Sequence, residues 1–470
     1  MEFMKKTKII TSLGPSSYNG DTFEQMVLNG ANIARVNFSH ATPEEKQMDI
    51  DTVKEVRKRT GLTIGLLYDT KGPEFRNGIF ENEEITLVEG NTIRIVKDDV
   101  VGNEERFTVN HPEAIDSIEV GNNILLENGL MRLEVISKED NGVTCKIING
   151  GVLGNKKSMA VPGVKLNMPF ISDQDREDII FACEHEGDFL ALSFVSCADD
   201  VKEARKIIEE HNSNMKIIAK IESITGFENL PEILEVADGI MVARGDLGNE
   251  APLDMLPIYQ KEMIRIAREA GKPVVVATEM LESMKKSMRP TRAEVTDVSN
   301  AVLDGTDAVM LSGETTLGKY PTEVVKYMAE ICATAEKYYD KTFNYNYGDQ
   351  VGSIAKGVVE TAKALDAKAI VVDTVTGNSA KKISNLKPIC PIVAVCRDQE
   401  IANSLTVCYG VKAVIGKHSE DMDEVVELNT KLAKEALGLS KGDKVVVTSG
   451  FAASKKEGQV TNFMKVEEIK

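Results

Sequence analysis

The 470-residue sequence predicts an α/β protein built on a (β/α)8 (TIM) barrel, with an inserted small β domain and a C-terminal open α/β domain. Eight short apolar runs alternate with helical segments, which is the strand count of such a barrel. The third and fourth runs are separated by a long stretch of short β segments, and further strands and helices follow near the C-terminus. The predicted bounds are 1–72 and 162–345 for the barrel, 73–161 for the insert and 346–470 for the C-terminal domain.

The eight predicted barrel strands are short and apolar, and many of them end in a polar or charged residue. Helix signals lie between most of them, such as Gly30 at a helix end and Ser172 and Pro321 at helix starts. Because all strand ends of a barrel meet at one mouth, the polar residues would share it. A doubly wound open sheet is the alternative, but its G-x-G-x-x-G fingerprint is missing after the first strand. The predicted strands are residues 7–11, 31–37, 63–69, 189–194, 215–222, 239–244, 273–278 and 307–312.

The predicted insert consists of short β runs punctuated by Asn-Gly pairs at 128–129 and 141–142, which favour tight hairpin turns. It leaves the barrel after the third strand, and a domain that stands at the mouth is a candidate lid. The C-terminal domain begins with a predicted helix over 353–366. It continues with alternating strands and helices and ends with a strand over 461–469.

Composition argues against several classes of protein. Asp and Glu outnumber Lys and Arg by 74 to 56, and the net charge of −18 does not suit a surface that follows a nucleic-acid backbone. No run approaches the ~18 apolar residues of a membrane span, and the first residues lack the apolar region of a signal peptide. The seven cysteines form no C-x-x-C pair, which argues against a disulfide framework. We therefore expect a cytoplasmic protein without nucleic-acid or membrane partners.

Charged side chains end two neighbouring strands. The fifth strand ends in AKIES, where Lys220 and Glu222 share one face because strand side chains alternate. The sixth ends in ARGDLG, which places Asp246 just past the strand. Magnesium prefers one or two carboxylates that leave room for substrate oxygens and water. Taken singly, a surface salt bridge and a helix cap explain these residues better, but the repetition of charge at neighbouring strand ends favours a metal site.

The other strand ends add cations, carboxylates and hydroxyls to the same mouth. They form no Cys-His or Ser-His-Asp arrangement and no histidine cluster for zinc. Such a set favours a metal-bound anionic phosphate, with catalysis by positioning and electrostatics. Singly, the hydroxyl and histidine residues are more often turn or capping residues. The residues are Arg35, Asn37, Ser39 and His40 after the second strand, Asp69, Thr70, Lys71, Glu74 and Arg76 after the third, and Thr278, Glu279, Ser312 and Glu314 after the last two.

Seven motifs resemble pyruvate kinase in sequence and in order: RVNFSH, YDTKGPE, AKIES, MVARGDLG, VVVATEMLESM, RPTRAEVTDVSNAV and MLSGET. The resemblance covers essentially the whole chain, including the β insert. It implies transfer of the phosphoryl group of phosphoenolpyruvate to ADP, giving ATP and pyruvate in glycolysis. Family members are usually homotetramers.

The resemblance also implies a role for each strand-end residue. Glu222 and Asp246 would hold Mg²⁺ (or Mn²⁺), and Arg35 and Lys220 would neutralise the transferring phosphoryl group. Glu74 matches the glutamate that goes with K⁺ dependence. The remaining implied sets are Gly245, Asp246 and Thr278 for the substrate carboxylate, Asn37, Ser39, Asp69 and Thr70 for K⁺, Asn37, His40, Arg76 and the lid lysine Lys156 or its neighbour Lys157 for the nucleotide, and Thr278, Ser312 and Glu314 for the proton path.

Two positions depart from the family pattern. Glu279 stands where the family often has glutamine, and Glu127-Asn128-Gly129 replaces the usual Asp-Asp-Gly of the lid. The second change argues against a catalytic role for lid carboxylates.

A loop of the C-terminal domain, TVTGNSA, resembles the family's effector loop, which binds a sugar phosphate at a helix start. A plain turn followed by a helix cap gives the same sequence. Two other functions remain open: a metal-dependent barrel lyase or aldolase acting on pyruvate enolates, and a catalytically silent regulator that binds sugar phosphates. The effector residues would be Thr374, Thr376, Gly377, Asn378 and Ser379.

Overall fold

The computed structural model describes residues 5–39, 41–127, 129–339, 348–417, 419, 421–450 and 461–470. Eight parallel strands close into a barrel, which confirms the predicted fold class. Each predicted barrel strand is present. Strands are numbered in chain order, so that β4 to β11 belong to the insert. The barrel strands are β1 Lys8–Ser12, β2 Ile33–Asn37, β3 Gly65–Asp69, β12 Phe189–Leu192, β13 Lys216–Ile221, β14 Gly239–Ala243, β15 Val274–Ala277 and β16 Ala308–Leu311.

The strands follow one another around the barrel in the order β1-β16-β15-β14-β13-β12-β3-β2. The first and last strands in the chain close the ring, with Lys8 opposite Ala308. The interior-facing and helix-facing residues are both apolar, because a parallel barrel is covered on its two faces.

Helices cover the outside of the barrel and begin at the residues that favour helix starts. Thr42 and Glu45 form a capping box at the start of the second helix, and Gly61 ends it in a left-handed conformation. Thr291 and Glu294 form the same box on a later helix. The helices are α1 Gly20–Leu28, α2 Pro43–Thr60, α3 Asp173–Glu184, α4 Ala198–Glu210, α5 Ile224–Glu228, α6 Leu230–Val236, α7 Arg244–Glu250, α8 Leu256–Glu269, α9 Arg292–Asp304, α10 Gly313–Thr316 and α11 Pro321–Ala335.

The insert forms a six-stranded sheet in the order β11-β7-β8-β9-β5-β6 and a two-stranded sheet of β4 and β10. The Asn-Gly pair at 141–142 lies at the turn between β8 and β9, as predicted. Two short strands, β10 and β11, are additional to the prediction. The strands are β4 Glu84–Leu87, β5 Thr92–Val96, β6 Arg106–Thr108, β7 Asn123–Leu126, β8 Met131–Glu139, β9 Gly142–Asn149, β10 Gly151–Gly154 and β11 Met159–Ala160.

The C-terminal unit is an open five-stranded sheet in the order β19-β18-β17-β20-β21, parallel except for the antiparallel last strand. The predicted helix and final strand are both present. The domain bounds stay a prediction, and residues 345 and 346 lie outside the described part of the chain. The elements are α12 Gln350–Ala364, β17 Ala369–Thr374, α13 Asn378–Asn385, β18 Ile392–Cys396, α14 Gln399–Ser404, β19 Val411–Ile415, α15 Met422–Leu437, β20 Lys444–Ser449 and β21 Phe463–Glu468.

The C-terminal unit packs against the floor of the barrel, where the strands begin. Ile10 and Phe189 of the barrel interior share one buried cluster with Leu405 of the C-terminal unit. Lys8 donates a hydrogen bond across this contact to the carbonyl of Val411. The mouth therefore stays on the opposite side, facing the insert. Among the helices that the structure describes, none has the length and hydropathy of a membrane span.

Replacing Gly65 with alanine should loosen the contact between the floor and the C-terminal unit. A Cβ at Gly65 would collide with the buried Thr406 hydroxyl and would lie 3.1 Å from Ile33 and 3.2 Å from Phe189. Overpacking of this kind costs about 1–3 kcal/mol of unfolding free energy. Gly357→Ala is the matched control. Apart from the neighbouring backbone of helix α12 itself, no described atom lies within 4 Å of a Cβ at this position, and alanine favours a helix. Denaturant unfolding measures the unfolding free energy of both variants. A Gly65→Ala variant as stable as the native chain and the Gly357→Ala control would contradict the prediction.

Candidate active site

Lys220 is the central cation of the barrel mouth. It lies near the end of β13, and its ammonium is 3.0 Å from Asp69 Oδ1, 3.1 Å from Glu222 Oε1 and 2.6 Å from Ser193 Oγ. Burial alone would lower the pKa of Lys220, but the carboxylates of Asp69 and Glu222 raise it above its ordinary value. The side chain therefore carries a fixed positive charge at the mouth.

Arg35 supplies a second cation on the other side of Asp69. Its Nε is 2.6 Å from Asp69 Oδ2, and its Nη1 donates to Ser12 Oγ at 2.8 Å. Burial would raise the pKa of Asp69, but Arg35 and then Lys220 lower it below its usual range. One buried carboxylate thus holds two cations side by side, which is an arrangement suited to an anion with several oxygens.

Glu222 and Asp246 bring two carboxylates to the same cleft. Glu222 is buried, its Oε2 accepts a hydrogen bond from the Phe194 N–H at 2.6 Å, and Asp246 lies in the first turn of α7. Burial, with a smaller contribution from the Asp246 carboxylate, raises the pKa of Glu222 to about 7 although Lys220 opposes the shift. A divalent cation would offset this cost, so the two residues fit a Mg²⁺ site. No group of three or more His, Cys, Asp or Glu suited to a metal occurs in the described part of the chain.

The insert and the barrel mouth enclose a cleft of ≈ 470 Å³. Glu222 and Asp246 line it from the barrel, and Arg76 and Lys157 line it from the insert. Lys157 is 2.8 Å from Glu127. Lys156, the first of the two lid lysines predicted from the sequence, is instead exposed and has a left-handed backbone. Its carbonyl accepts a hydrogen bond from Arg76. The structure therefore places Lys157, rather than Lys156, in the cleft.

Thr278 directly follows β15 and has an unusual backbone. Its φ is 71° and that of Glu279 is 53°, and the left-handed region is rare for a β-branched residue. The Thr278 hydroxyl accepts a hydrogen bond from the Gly245 N–H at 2.7 Å and donates one to the Ala277 carbonyl at 2.6 Å. Thr278 and Gly245 therefore lie together, as the sequence predicts.

Comparisons with known proteins identify the family to which this arrangement belongs. The profile described as pyruvate kinase, barrel domain matches residues 4–325, and that of the pyruvate kinase alpha/beta domain matches residues 352–467. A pyruvate kinase of Geobacillus stearothermophilus is 42% identical over 99% of this chain and 80% of its own length. One from Staphylococcus aureus (strain NCTC 8325 / PS 47) is 41% identical over 98% of this chain and 80% of its own. A crystal structure of a pyruvate kinase from Cryptosporidium parvum superposes with a TM-score of 0.92 at 38% identity, over 99% of this chain and 96% of that one.

The chain belongs to the pyruvate kinase family. This confirms the resemblance drawn from the motifs, and it supports the phosphotransferase over the lyase or aldolase.

The four residues predicted to bind K⁺ lie at or just after the ends of two paired strands. Asn37 of β2 stands opposite Asp69 of β3. The Asn37 amide oxygen accepts a hydrogen bond from the Ser39 N–H at 3.3 Å, and Thr70 is buried with its hydroxyl bonded to the N–H of Ser193 at 3.0 Å. These four predicted residues are adjacent. His40 lies outside the described residues.

Arg76, which is predicted to lie on the nucleotide side, is held in place by Glu74. Its guanidinium is 2.5 Å from Glu74 Oε1, and Lys71 is 2.8 Å from the other oxygen of the same carboxylate. Burial would raise the pKa of Glu74, but its hydrogen bonds to Arg76 and Lys71 lower it. Glu74 therefore stays ionised between two cations.

Glu314 uses both carboxylate oxygens to bind backbone. Oε1 accepts a hydrogen bond from the Leu281 N–H at 3.1 Å and Oε2 one from the Ser312 N–H at 2.8 Å, and the side chain is buried. It thereby ties the loop after β15 to the loop after β16. Glu279, which departs from the family pattern, is exposed.

The effector loop of the C-terminal unit is a tight turn. The Thr374 hydroxyl accepts a hydrogen bond from the N–H of Gly377 at 3.0 Å, and α13 begins directly afterwards at Asn378. Thr376 is exposed, whereas Ser379 is buried against Thr461. The geometry is compatible with both the phosphate site and the turn with a cap.

Two residues that the sequence analysis left without a role belong to the site. Ser193 of the segment after β12 contacts Lys220 and Asp69. Arg244 donates a hydrogen bond to the Thr278 carbonyl at 2.6 Å. The position of Arg244 in ARGDLG, directly before Gly245, could have indicated that it belongs to the site. Ser193 is a single serine after a strand, and its sequence context gives no such indication.

Glu314→Gln should lower the unfolding free energy by about 1–3 kcal/mol, because an amide NH₂ would face a backbone N–H that needs an acceptor. Glu282→Gln is the control. That residue is 46% exposed and pairs only with Lys285 among the contacts described, so its change should stay within about 0.5 kcal/mol. Chemical denaturation measures both, and equal midpoints for the two variants would contradict the role given to Glu314.

Proposed function

We propose that the chain transfers the phosphoryl group of phosphoenolpyruvate to ADP, giving ATP and pyruvate. The observation that carries the proposal is the pair of cations, Arg35 and Lys220, held by Asp69 beside the carboxylates of Glu222 and Asp246. Membership of the pyruvate kinase family supports it.

Arg35 and Lys220 would stabilise the negative charge on the transferring phosphoryl group. Their positions are set before substrate arrives, because Asp69 binds one cation with each oxygen. Preorganised charges of this kind need no rearrangement during the reaction. The buried Asp69 therefore contributes by orientation, and neutralises only part of the charge of its two partners.

Glu222 and Asp246 would hold Mg²⁺ or Mn²⁺. When bound, the ion neutralises substrate oxygens and aligns them for transfer. Asn37, Ser39, Asp69 and Thr70 would bind K⁺, and Glu74 accords with K⁺ dependence.

The N–H groups of Gly245 and Asp246 would receive the substrate carboxylate, replacing the Thr278 hydroxyl as acceptor at Gly245. That exchange would free the Thr278 hydroxyl to bind the substrate. Thr278 and Ser312 would supply the hydroxyls of the proton path to enolpyruvate. Glu314 would act there by holding the two loops, since both of its oxygens bind backbone N–H groups.

The insert would act as a lid that excludes water from the cleft. Arg76 and Lys157, together with Asn37, His40 and the exposed Lys156, form the proposed nucleotide side. We propose the same domain bounds as the sequence predicts, a homotetramer and a cytoplasmic location. The effector loop is proposed to bind a sugar phosphate.

The first test is pyruvate formation from phosphoenolpyruvate, with and without ADP, Mg²⁺ and K⁺. We expect turnover that requires all three, and a loss of about 10²–10³ in kcat for Lys220→Ala, since a preorganised donor is removed. Lys46→Ala is the matched control: it removes another buried lysine, paired with Asp178 at 2.6 Å on helices α2 and α3. Pyruvate formation that ignores ADP would favour the lyase, full activity without a monovalent cation would remove the K⁺ site, and no turnover would favour the silent regulator.

The effector proposal predicts that fructose 1,6-bisphosphate, or another sugar phosphate, lowers the phosphoenolpyruvate concentration needed for half-saturation. Thr376→Val should abolish the shift, because it removes an exposed hydroxyl from the loop, whereas Thr361→Val on helix α12 should retain it. Saturation curves that no tested sugar phosphate moves would favour the turn and helix cap.

A further inference from the structure

The loop after β15 holds two consecutive residues in the left-handed region, Thr278 and Glu279, and neither is glycine. Such a backbone persists only where the surroundings hold it, and it is concentrated at functional sites. The groups that hold this loop therefore decide where the Thr278 hydroxyl lies.

The Arg244 guanidinium contacts three residues of this segment, Ala277, Thr278 and Met280. Its Nη2 donates to the Thr278 carbonyl at 2.6 Å and lies 2.9 Å from the sulfur of Met280, and its Nε donates to the Ala277 carbonyl at 3.3 Å. Because the guanidinium is planar, it can bind several neighbouring acceptors at once, which an ammonium on a flexible chain does less well.

Arg244 is itself fixed from the outer helices. Its Nη1 lies 2.8 Å from both carboxylate oxygens of Asp297 on α9 and 3.4 Å from the amide oxygen of Gln260 on α8. The side chain is only 12% exposed, so little water competes for these bonds. The described lining of the cleft includes Asp246 but not Arg244. Arg244 thus connects helices α8 and α9 to the loop after β15, and it does not line the cleft in which the substrate would bind.

We infer that Arg244 is a positioning residue, whose guanidinium holds Thr278 in its left-handed conformation and keeps its hydroxyl beside the Gly245 N–H. The loop is tied from the other side by Glu314, which binds the Leu281 N–H. The link to catalysis rests on the proposed function of Thr278, whereas the hold on the loop does not.

The kinetic test compares Arg244→Gln and Arg244→Lys with Arg205→Gln. Arg205 is the matched control, because it also donates to two carbonyls, those of Met215 and Val236, and pairs with an aspartate, Asp238, but at the opposite end of the barrel strands. We expect Arg244→Gln to lower kcat by about 10²-fold, since small misplacements at a reacting centre have such effects. The KM for ADP should stay within about twofold, and Arg205→Gln should keep native kcat. Arg244→Lys retains the charge beside Asp297 and should recover only part of the loss.

A double-mutant comparison shows whether Arg244 acts through Thr278. If it does, adding Arg244→Gln to Thr278→Ala should lower kcat little beyond Thr278→Ala alone, because the two changes remove the same interaction. Losses that multiply, or an Arg244→Lys variant with native kcat, would overturn the inference.

Hydrogen exchange tests the hold on the loop without any turnover. The amides of peptide 277–284 should exchange at least about tenfold faster in Arg244→Gln and Arg244→Lys than in the native chain, and at the native rate in Arg205→Gln. If the native chain forms no pyruvate, the proposed function fails while this measurement still decides the geometry. Unchanged exchange in both Arg244 variants would overturn the inference.

Discussion

The mouth of the barrel depends on one buried carboxylate that is shared by two cations. Asp69 binds Arg35 with one oxygen and Lys220 with the other, and it is 1% exposed, so none of the three charges could stay at its place without its partners. Removing one partner of a buried ion pair leaves an uncompensated charge, which is among the costliest changes to a protein interior. The three residues come from β2, β3 and β13, which belong to one run of neighbouring parallel strands, β13-β12-β3-β2. Pairing of these four neighbouring strands therefore brings the three charges together.

The loops around this centre extend the same principle outward. Arg244 ties the loop after β15 to the outer helices, and Glu314 ties it to the loop after β16. Glu314 binds backbone N–H groups, and Arg244 binds backbone carbonyls together with side chains of α8 and α9. Neither side chain is among the described residues that line the cleft. The strain at Thr278 is thus carried by contacts that lie behind the site, so the cleft surface itself remains available to substrate.

The sequence predicts the barrel strands well, because each combines a short apolar run with a polar end, and the alternation of side chains correctly pairs Lys220 with Glu222. It does not predict that Asp69 spends both oxygens on cations, since that depends on which strands become neighbours. Nor does it distinguish Lys156 from Lys157, because the left-handed backbone at Lys156 turns one of two adjacent lysines away. The strands β10 and β11 are too short to give a periodic signal. The contact between Arg244 and Thr278 joins residues that are separated in the chain by two helices, α7 and α8, and by β15.

The pairing of β1 with β16 also constrains how the chain is made. Lys8 lies opposite Ala308, so the first strand leaves the ribosome long before its neighbour on that side exists. Until the eighth strand arrives, an apolar edge stands open, and closing a ring over such a sequence separation is slow compared with local pairing. The floor is covered later still, because Thr406 and Leu405 follow the whole barrel in the chain. A growing polypeptide of this kind exposes apolar surface for most of its synthesis. Protection from aggregation must therefore come from chaperones, because the contacts that cover this surface in the folded protein have not yet formed.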